Sequence, residues 1–410
     1  MKKRHISNGI LIILSLCLLL SSCGRLPSDT SVSAPAPIDT EYTPYVKVPS
    51  IHPLGEITDS VLSSPIPLPI SGKEYDLLFM DNTDLWFYNS SDSNRIHQIS
   101  FLTGKHTVGN LYDFNLSVPR YTMTEDGSVW HCYDSGGDNL TLARFDATTG
   151  KIVVEHTWPK THGFAKLQGY RSDIFVDRVE FPDTTTWRYI VEKYNTKTKE
   201  SQIITESTFK SGDTYGEFYH GLSVDNDRVF VLVNEKTGSV GNFVIRQYDL
   251  NGRLQKSYAL PEYTEAYTAS HSGAFDLEVF DGYIAIGNLN GYSALFQLTE
   301  SGEGKRIYFS EDVDDSSALT AEKPILVPQI ENRATGDRYT VFKLDKQLII
   351  YNRDTNLFSS VAINVSGEGK LQPVMINEKF DLLLSRAIKE NNKTVETEYY
   401  LVDLNTFCNE

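Results

Sequence analysis

The chain has 410 residues, of which 40% are hydrophobic and 11% aromatic, and its formal net charge is −16. Nucleic-acid binding is not expected, because it needs a cationic patch. Attraction of the folded body to anionic lipid is not expected either, since that also depends on clustered basic residues. The acidic surplus favours solubility, and binding of a cationic partner stays open.

The first 22 residues have the pattern of an export signal. Basic residues at 2–4 precede an apolar run at 10–20, which is short for a membrane span of about 20 apolar residues. Residues 20–24, Leu-Ser-Ser-Cys-Gly, resemble the lipobox of bacterial lipoproteins. This resemblance implies cleavage before Cys23 and lipidation of Cys23, and several acyl chains would make the anchor stable. The alternative is an ordinary signal peptide with an incidental cysteine.

Residues 23–50 are rich in Pro, Ser and Thr. Such a composition cannot form a core and behaves as a semi-extended tether. The folded body is therefore predicted over residues 51–410, held outside the cytoplasm in a bacterial cell envelope. In a diderm the outer membrane is expected, because Gly24 is not the acidic retention residue of some inner-membrane lipoproteins.

A short turn motif recurs along the body at spacings of about 50 residues. In each copy an aromatic or aliphatic residue and then a polar one end a β-rich run. The polar members are Asn89, Asp146, Asn195, Asp249, Gln297, Asn352 and Asp403. Asp and Asn at such positions hydrogen-bond their own backbone and start a turn. The preceding runs are rich in Val, Ile, Tyr and Phe, which indicates strands.

Seven copies predict an all-β protein, a β-propeller with seven blades of about 50 residues in one domain. Six or eight blades, or a pair of β-sandwiches, stay open. The chain after Asp403 is too short for another strand. Because an open strand edge invites association, an N-terminal strand over residues 57–62 is predicted to complete the last blade.

Local motifs that could carry chemistry have structural interpretations. Residues 145–151 resemble the turn of pyrroloquinoline-quinone-type propeller repeats, but the Trp of that pattern is missing, so no quinone is predicted. Residues 124–130 loosely resemble the Asp-box hairpin of sialidase-like propellers; a turn followed by a packed Trp is preferred. The acidic groups at 225–227 and 312–315 could offer oxygen ligands to Ca²⁺. They lack the Gly and distant Glu of a calcium loop, and solvated turns are the preferred interpretation.

The sequence contains no zinc-binding histidine motif, no phosphate-binding loop and no nucleophile elbow. No metal, cofactor or catalytic residue is therefore predicted. The body has two cysteines. Cys132 falls in a predicted strand and is expected to be a buried thiol, and its pairing with Cys408 stays open.

The chain as a whole resembles the lipidated β-propeller proteins common in Bacteroidetes. The repeat and the lack of a catalytic set predict a membrane-anchored, extracytoplasmic lipoprotein. Its propeller would be a non-enzymatic binding or scaffold module for a protein or glycan ligand, at the loop-rich face or in the central channel. The alternative is an enzyme acting on glycans, a lyase or hydrolase, with its site at the channel mouth. A monomer is predicted, with the membrane as a partner through the N-terminal lipid.

Overall fold

Nearly all of the secondary structure in the described residues is β. The computed structural model describes residues 45–47, 51–68, 76–89, 95–109, 120–134, 139–146, 151–159, 161–237, 240–260, 275–288, 293–308, 329–336, 338–344, 346–367, 369–390 and 393–408. Within these residues the chain forms 29 strands and one short helix, α1 (Asn405–Cys408). Cys23 and the whole of the leader lie outside the described residues.

The strands are as follows. Two precede the blades: β1 (Tyr45–Lys47) and β2 (His52–Thr58). Blade 1 has β3 (Asp76–Met80), β4 (Asp84–Asn89), β5 (Arg95–Ser100) and β6 (His106–Gly109). Blade 2 has β7 (Arg120–Met123), β8 (Val129–Asp134), β9 (Asn139–Asp146) and β10 (Lys151–Pro159). Blade 3 has β11 (Thr161–Tyr170), β12 (Asp173–Asp183), β13 (Thr186–Asn195) and β14 (Ser201–Lys210).

The remaining blades continue the same order. Blade 4 has β15 (Tyr215–Asp225), β16 (Arg228–Thr237), β17 (Val240–Asp249) and β18 (Leu254–Ala259). Blade 5 has β19 (Phe275–Phe280), β20 (Tyr283–Asn288), β21 (Ser293–Leu298) and β22 (Gly304–Tyr308). Blade 6 has β23 (Gln329–Thr335), β24 (Tyr339–Leu344), β25 (Gln347–Asn352) and β26 (Leu357–Asn364). Blade 7 has β27 (Leu371–Ile376), β28 (Asp381–Glu390) and β29 (Lys393–Asp403).

The seven sheets close into a ring. Within each blade, consecutive strands pair antiparallel in sequence order. Most neighbouring blades touch through their first strands, and β27 of blade 7 contacts β3 of blade 1. The first strands therefore surround the axis, and the later strands lie outward. The predicted seven-bladed β-propeller is confirmed.

Strand β16 shows why these sequences form propeller blades. Its residues 229–233, Val-Phe-Val-Leu-Val, are all buried. Phe230 and Leu232 pack into the core between blades 4 and 5, whereas Val229, Val231 and Val233 pack into the core between blades 3 and 4. Side chains alternate between the two faces of a strand. A blade covered on both faces therefore has continuous apolar runs, and each buried side chain of this size contributes about 1.5–3 kcal/mol.

The N-terminal segment runs along the outer edges of three consecutive blades. Strand β1 pairs in parallel with β22, and β2 pairs in parallel with β26. Residues 63–66 then lie antiparallel to β29. Ser63 N–H donates to the carbonyl oxygen of Leu401 (3.2 Å), and Ile66 N–H donates to that of Tyr399 (2.9 Å). Pro65, which has no N–H, suits such an edge position.

The prediction that an N-terminal strand closes the last blade is confirmed in part: the N-terminal segment bonds to the edge of β29, but through residues 63–66, which form no strand, so blade 7 keeps three strands. The predicted segment 57–62 does not pair with β29, although Ile57, Val61 and Leu62 pack into a core cluster that contains blade 7 residues. Its first two residues belong to β2 on blade 6, and Val61 and Leu62 N–H both donate to Thr58 O in a turn. This turn redirects the chain, so the next residues, 63–66, pair with blade 7.

The turn chemistry predicted from the repeat is present in blades 3, 4, 6 and 7. Side-chain oxygens at the ends of the third strands accept bonds from backbone N–H groups two to four residues later, at Asn195, Asp249, Asn352 and Asp403. In blade 4, Gly252 has φ +85°, and a Cβ there would meet Ile204 O of blade 3 at 2.7 Å. Lys199 and Asn356 adopt positive φ in the turns without Gly.

The prediction is wrong for one of the seven repeat positions, Asn89. Asn89 ends β4, the second strand of blade 1, whereas five of the other six positions end third strands and Gln297 is the last but one residue of a third strand. The equivalent turn of blade 1 begins at Ser100, whose Oγ accepts from Thr103 N–H at 3.2 Å. Ser supports such turns as Asp and Asn do, more weakly. A Tyr-Asn pair that ends a strand has the same local pattern in either strand, so the sequence does not distinguish them.

Neither cysteine of the body forms a disulfide. Cys132 is fully buried, as expected, and burial raises the pKa of its thiol far above the usual range. Cys408 is half-buried, in α1. Among the described helices none is long and apolar enough to cross a membrane.

Candidate functional site

Two hairpin turns, at the ends of the first strands of blades 4 and 5, form the base of the candidate site. The turn from β15 to β16 contains Asn226 (φ 49°) and Asp227 (φ 60°), and the turn from β19 to β20 contains Asp281 (φ 46°) and Gly282 (φ 83°). Two-residue loops with both φ positive are type I′ turns, whose twist matches that of the strands and which favour Asn, Asp and Gly. The local sequence thus holds both turns in a defined shape.

Hydrogen bonds between first strands fix these turns in place. Val224 N–H donates to Gln168 Oε1 (3.0 Å), and Gln168 Nε2 donates to Val224 O (3.1 Å). Val279 N–H donates to Ser223 Oγ (3.0 Å). These side chains satisfy backbone groups at the inner edges of the sheets, which would otherwise be unpaired. Blades 3, 4 and 5 are therefore joined just before their turns.

A charge cluster joins blades 4, 5 and 6. Arg353, from the turn after β25, donates from Nη1 to Asp225 Oδ1 at 2.8 Å, and the same nitrogen lies 3.9 Å from Asp281 Oδ1. The other oxygen of Asp225 accepts from Asp281 N–H and from Asn226 Nδ2, both at 3.1 Å. Asn226 Nδ2 also lies 3.2 Å from Asp281 Oδ1. The side chains of Asp225 and Arg353 are only 11% and 16% exposed, so this pair is a partly buried one.

The cluster is not fully satisfied. Asp281 Oδ2 and Arg353 Nε are buried, and neither has a hydrogen-bond partner among the described residues. Leaving such a group unpaired costs about 1–3 kcal/mol. Buried polar atoms without a protein partner are commonly bonded to water or an ion, or belong to a functional site.

A cavity of about 260 Å³ lies beside the cluster, between blades 4 and 5. Asp225, Asn226 and Asp281 line its inner end. Its outer wall combines side chains of both charge signs, an amide and a phenol: Arg228, Gln247, Lys256, Tyr258 and Glu300.

The outer wall is held by its own hydrogen bonds. Lys256 Nζ donates to the carbonyl oxygens of Thr299 (3.2 Å) and Glu300 (2.8 Å), which joins β18 of blade 4 to the turn after β21 of blade 5. Tyr258 OH donates to Gln247 Oε1 (3.1 Å). Burial raises the pKa of the Tyr258 hydroxyl, and the nearby positive charge of Arg228 acts in the opposite direction. Arg228 and Glu300 are exposed at the rim.

The acidic run at 225–227 is therefore not a set of solvated turn residues throughout. Asp225 is buried and bound to Arg353, whereas Asp227 forms an exposed pair with Arg171 at 2.8 Å. Within the described residues, no group of three or more His, Cys, Asp and Glu side chains is placed to hold a metal ion. The second acidic run, 312–315, lies outside the described residues.

The segment that resembles an Asp-box, residues 124–130, forms a turn followed by a packed Trp, as its sequence predicts. Thr124 Oγ1 donates to Asp126 Oδ1 (2.7 Å), and Trp130 Nε1 donates to Thr124 Oγ1 (3.1 Å). Hydrogen bonding from Thr124 lowers the pKa of Asp126. Trp130 is 1% exposed and packs on Tyr194 of blade 3. This segment is a turn that positions a core Trp.

Several other titratable side chains are buried between blades. Burial raises the pKa of Asp177 to about 7, partly offset by Lys166, and lowers those of His131 and His220 to about 3 and about 4. None of these groups lines the cavity between blades 4 and 5. They belong to the packing of blades 2, 3 and 4.

Four of the charged groups of the site did not stand out in the sequence: Arg353, Asp281, Arg228 and Lys256. Asp281-Gly282 is a recognisable hairpin signal between two strands, so its turn could have been found. Arg353 is 128 residues from its partner Asp225, and no local pattern relates the two.

The ring of seven four-stranded or nearly four-stranded sheets defines the class of protein, a seven-bladed β-propeller. No protein-family model matches the chain. No curated protein matches it either.

Similar solved structures share little sequence with the chain. Sqt1 of Saccharomyces cerevisiae is 10% identical over 81% of this chain and 87% of its own, with a TM-score of 0.43. The β-propeller domain of Cps50 (Swd1) of Myceliophteria thermophila is 10% identical over 83% and 99%, with a TM-score of 0.41. A puromycin hydrolase is 12% identical over 84% of this chain and 55% of its own, with a TM-score of 0.49. Similarity at this level concerns architecture and says nothing about activity.

Proposed function

We propose that this propeller is a binding or scaffold module that holds a protein ligand at the cavity between blades 4 and 5. The proposal rests on the partly buried cluster of Asp225, Asp281 and Arg353, which lies beside a cavity whose rim bears charges of both signs. A propeller supports such a role because its blades form a rigid frame on which turns are displayed.

The size of the cavity favours a single inserted group. Small-molecule sites usually measure about 300–1,000 Å³, and this cavity holds about 260 Å³. One side chain of a protein ligand fits such a volume, with the rest of the ligand lying across the turns outside. Protein interfaces commonly combine a small central pocket with a polar rim.

The chemistry of the walls favours a protein over a glycan. Sugar rings are usually held against exposed aromatic faces, but Phe230 and Tyr258 are only 4% and 7% exposed. The exposed lining groups are instead Asn226, Arg228 and Glu300. Arg is over-represented among the residues that dominate protein interfaces, and paired charges set register and partner choice.

Photo-crosslinking from the rim tests this proposal. With p-benzoylphenylalanine in place of Glu300, we expect one discrete protein adduct in intact cells. The charge reversal Arg228→Glu should reduce the yield of the adduct on the order of tenfold. The new glutamate would repel the acidic group of the ligand that Arg228 attracts, and like charges across an interface weaken binding. The matched control carries the crosslinker at Tyr215, an exposed residue at the opposite end of β15, and should give no such adduct.

The outcomes separate the alternatives. Equal adducts from positions 300 and 215, or no effect of Arg228→Glu, would contradict a protein site in this cavity. An adduct sensitive to glycosidases would indicate a glycan ligand. Turnover of a defined glycan that is lost in Asp281→Asn would favour the alternative of a lyase or hydrolase.

We further propose that the module is lipid-anchored through Cys23 in the cell envelope, outside the cytoplasm. The lipobox-like segment and the tether over residues 23–50 support this. In the Cys23→Ala variant we expect most of the protein to leave the membrane fraction or to accumulate uncleaved, because the acyl chains would supply the stable attachment. Fractionation with metabolic labelling by an alkyne fatty acid measures this. Unchanged labelling in the variant would exclude Cys23 as the modified residue.

A further inference from the structure

A second cavity, of about 450 Å³, lies where the two ends of the folded chain meet blade 6. His52 and Leu54 of β2, Phe407 and Cys408 of α1, and residues of β25 and β26 line it. A Cβ at Gly55 would come within 3.7 Å of the Phe407 ring, so β2 and α1 are in close contact here. The volume falls within the range of small-molecule sites, about 300–1,000 Å³.

The charge of this cavity differs from that of the whole chain. The chain has 54 acidic residues, yet none of the described residues that line the cavity is acidic. Arg338 supplies a positive charge at its wall. The guanidinium lies over the rings of Tyr339 (5.4 Å) and Phe380 (5.6 Å), and these contacts hold it in place.

The partner of Arg338 is one that a ligand could replace. Arg338 Nε lies 2.6 Å from Asp354 Oδ2, and the Asp354 side chain is 61% exposed. An ion pair that is open to water on one side contributes little to stability. A carboxylate or sulfate entering the cavity can therefore take the place of Asp354 without a large loss.

Several of the lining residues are apolar. Ile350 and Phe407 are buried at 1% and 9% exposure, and Leu54 packs against the same core. Leu357, at the mouth, is 50% exposed. Besides Arg338, the polar lining consists of the imidazole of His52, the carboxamide of Asn352 and the hydroxyls of Thr355 and Ser359. The cavity thus combines one arginine with several apolar lining residues.

We propose that this cavity binds a free, soluble amphiphile with one anionic head group and an apolar tail. Arg338 binds the head group, and Leu54, Ile350 and Phe407 cover the tail. The site is separate from the cavity between blades 4 and 5 and does not depend on the function proposed for that cavity.

Calorimetric titration of decanoate into the mature chain, residues 23–410 produced without lipid, tests the site. We expect one decanoate per chain and no binding of decyltrimethylammonium, the matched cation with the same tail. Arg338→Gln should weaken decanoate binding on the order of tenfold, because a charge-assisted hydrogen bond is lost. Thr355→Trp, at an exposed turn position that lines the cavity, should block binding while leaving the fold unchanged by circular dichroism.

The matched control is Arg171→Gln, which removes another arginine paired with an aspartate (2.8 Å) but on blade 3; it should bind decanoate normally. Three results would overturn the proposal: no decanoate binding at millimolar concentration, equal binding of the cationic amphiphile, or binding unchanged in both Arg338→Gln and Thr355→Trp. Attachment to anionic lipid vesicles that needs Arg338, without binding of free decanoate, would also overturn it, since the occupant would then be a membrane.

Discussion

Replacing Arg178 by Ala is expected to lower the free energy of unfolding by about 3–5 kcal/mol. Arg178 lies in β12 and is 4% exposed. Its Nη2 and Nε donate to Glu192 Oε2 at 2.6 and 3.0 Å, and its guanidinium lies 5.6 Å from the ring centre of Trp158 in blade 2. The variant leaves the Glu192 carboxylate, 6% exposed, without its main partner between blades 2 and 3. Chemical denaturation followed by tryptophan fluorescence measures the loss.

Arg171→Ala is the matched control for this substitution. Arg171 also pairs with a carboxylate, Asp227, but it is 58% exposed, so its loss should cost no more than about 1 kcal/mol. The double variant Arg178→Met with Glu192→Leu should recover most of the stability, because it removes both charges of the buried pair, while Glu180, which also accepts from Arg178, keeps its bond to Arg188. Equal losses for Arg178→Ala and Arg171→Ala would show that burial of the pair is not what makes it important.

Replacing Ile66 by Asp is expected to lower the free energy of unfolding by about 4 kcal/mol or more. Ile66 is 7% exposed and packs against Phe87 of blade 1 and Leu383 and Tyr399 of blade 7. The variant places a charge in the seam where the ring closes. It also loosens the segment whose backbone pairs with β29. Chemical denaturation measures the total loss of stability. Hydrogen exchange should show that the β29 amides, at the outer edge of blade 7, lose protection first.

Ser64→Asp provides the control for Ile66→Asp, since it adds the same charge two residues away at an exposed position. Its effect should stay within about 0.5 kcal/mol. If Ile66→Asp lowered stability while β29 kept its full protection, residues 63–66 would not be what closes the ring.

The turns of the blades were predictable from single positions. Asn195 and Asp249 form the expected bonds to N–H groups two to four residues later, because the groups that make such a turn are neighbours in the chain. The same locality explains the error at Asn89. A strand ending in Tyr-Asn has one local pattern, whether it is the second or the third strand of its blade.

The closure of the ring could be predicted in kind but not in register. An unpaired edge on blade 7 was expected, and among the described residues this blade has three strands of its own, β27, β28 and β29. The segment that fills the edge depends on how far the N-terminal strand extends along blade 6 before the turn at Thr58. Nothing in residues 57–62 encodes that distance.

The sequence by itself determined the class of fold, the number of blades and the chemistry of most turns, because these depend on hydrophobic alternation and on hydrogen bonds between near neighbours. The tertiary structure alone decided where charges meet. Arg353 of blade 6 binds Asp225 of blade 4, and Arg338 lines a cavity that β2 and α1 also line. Such contacts join residues from distant parts of the chain, and their energies depend on burial and distance, which no local pattern records.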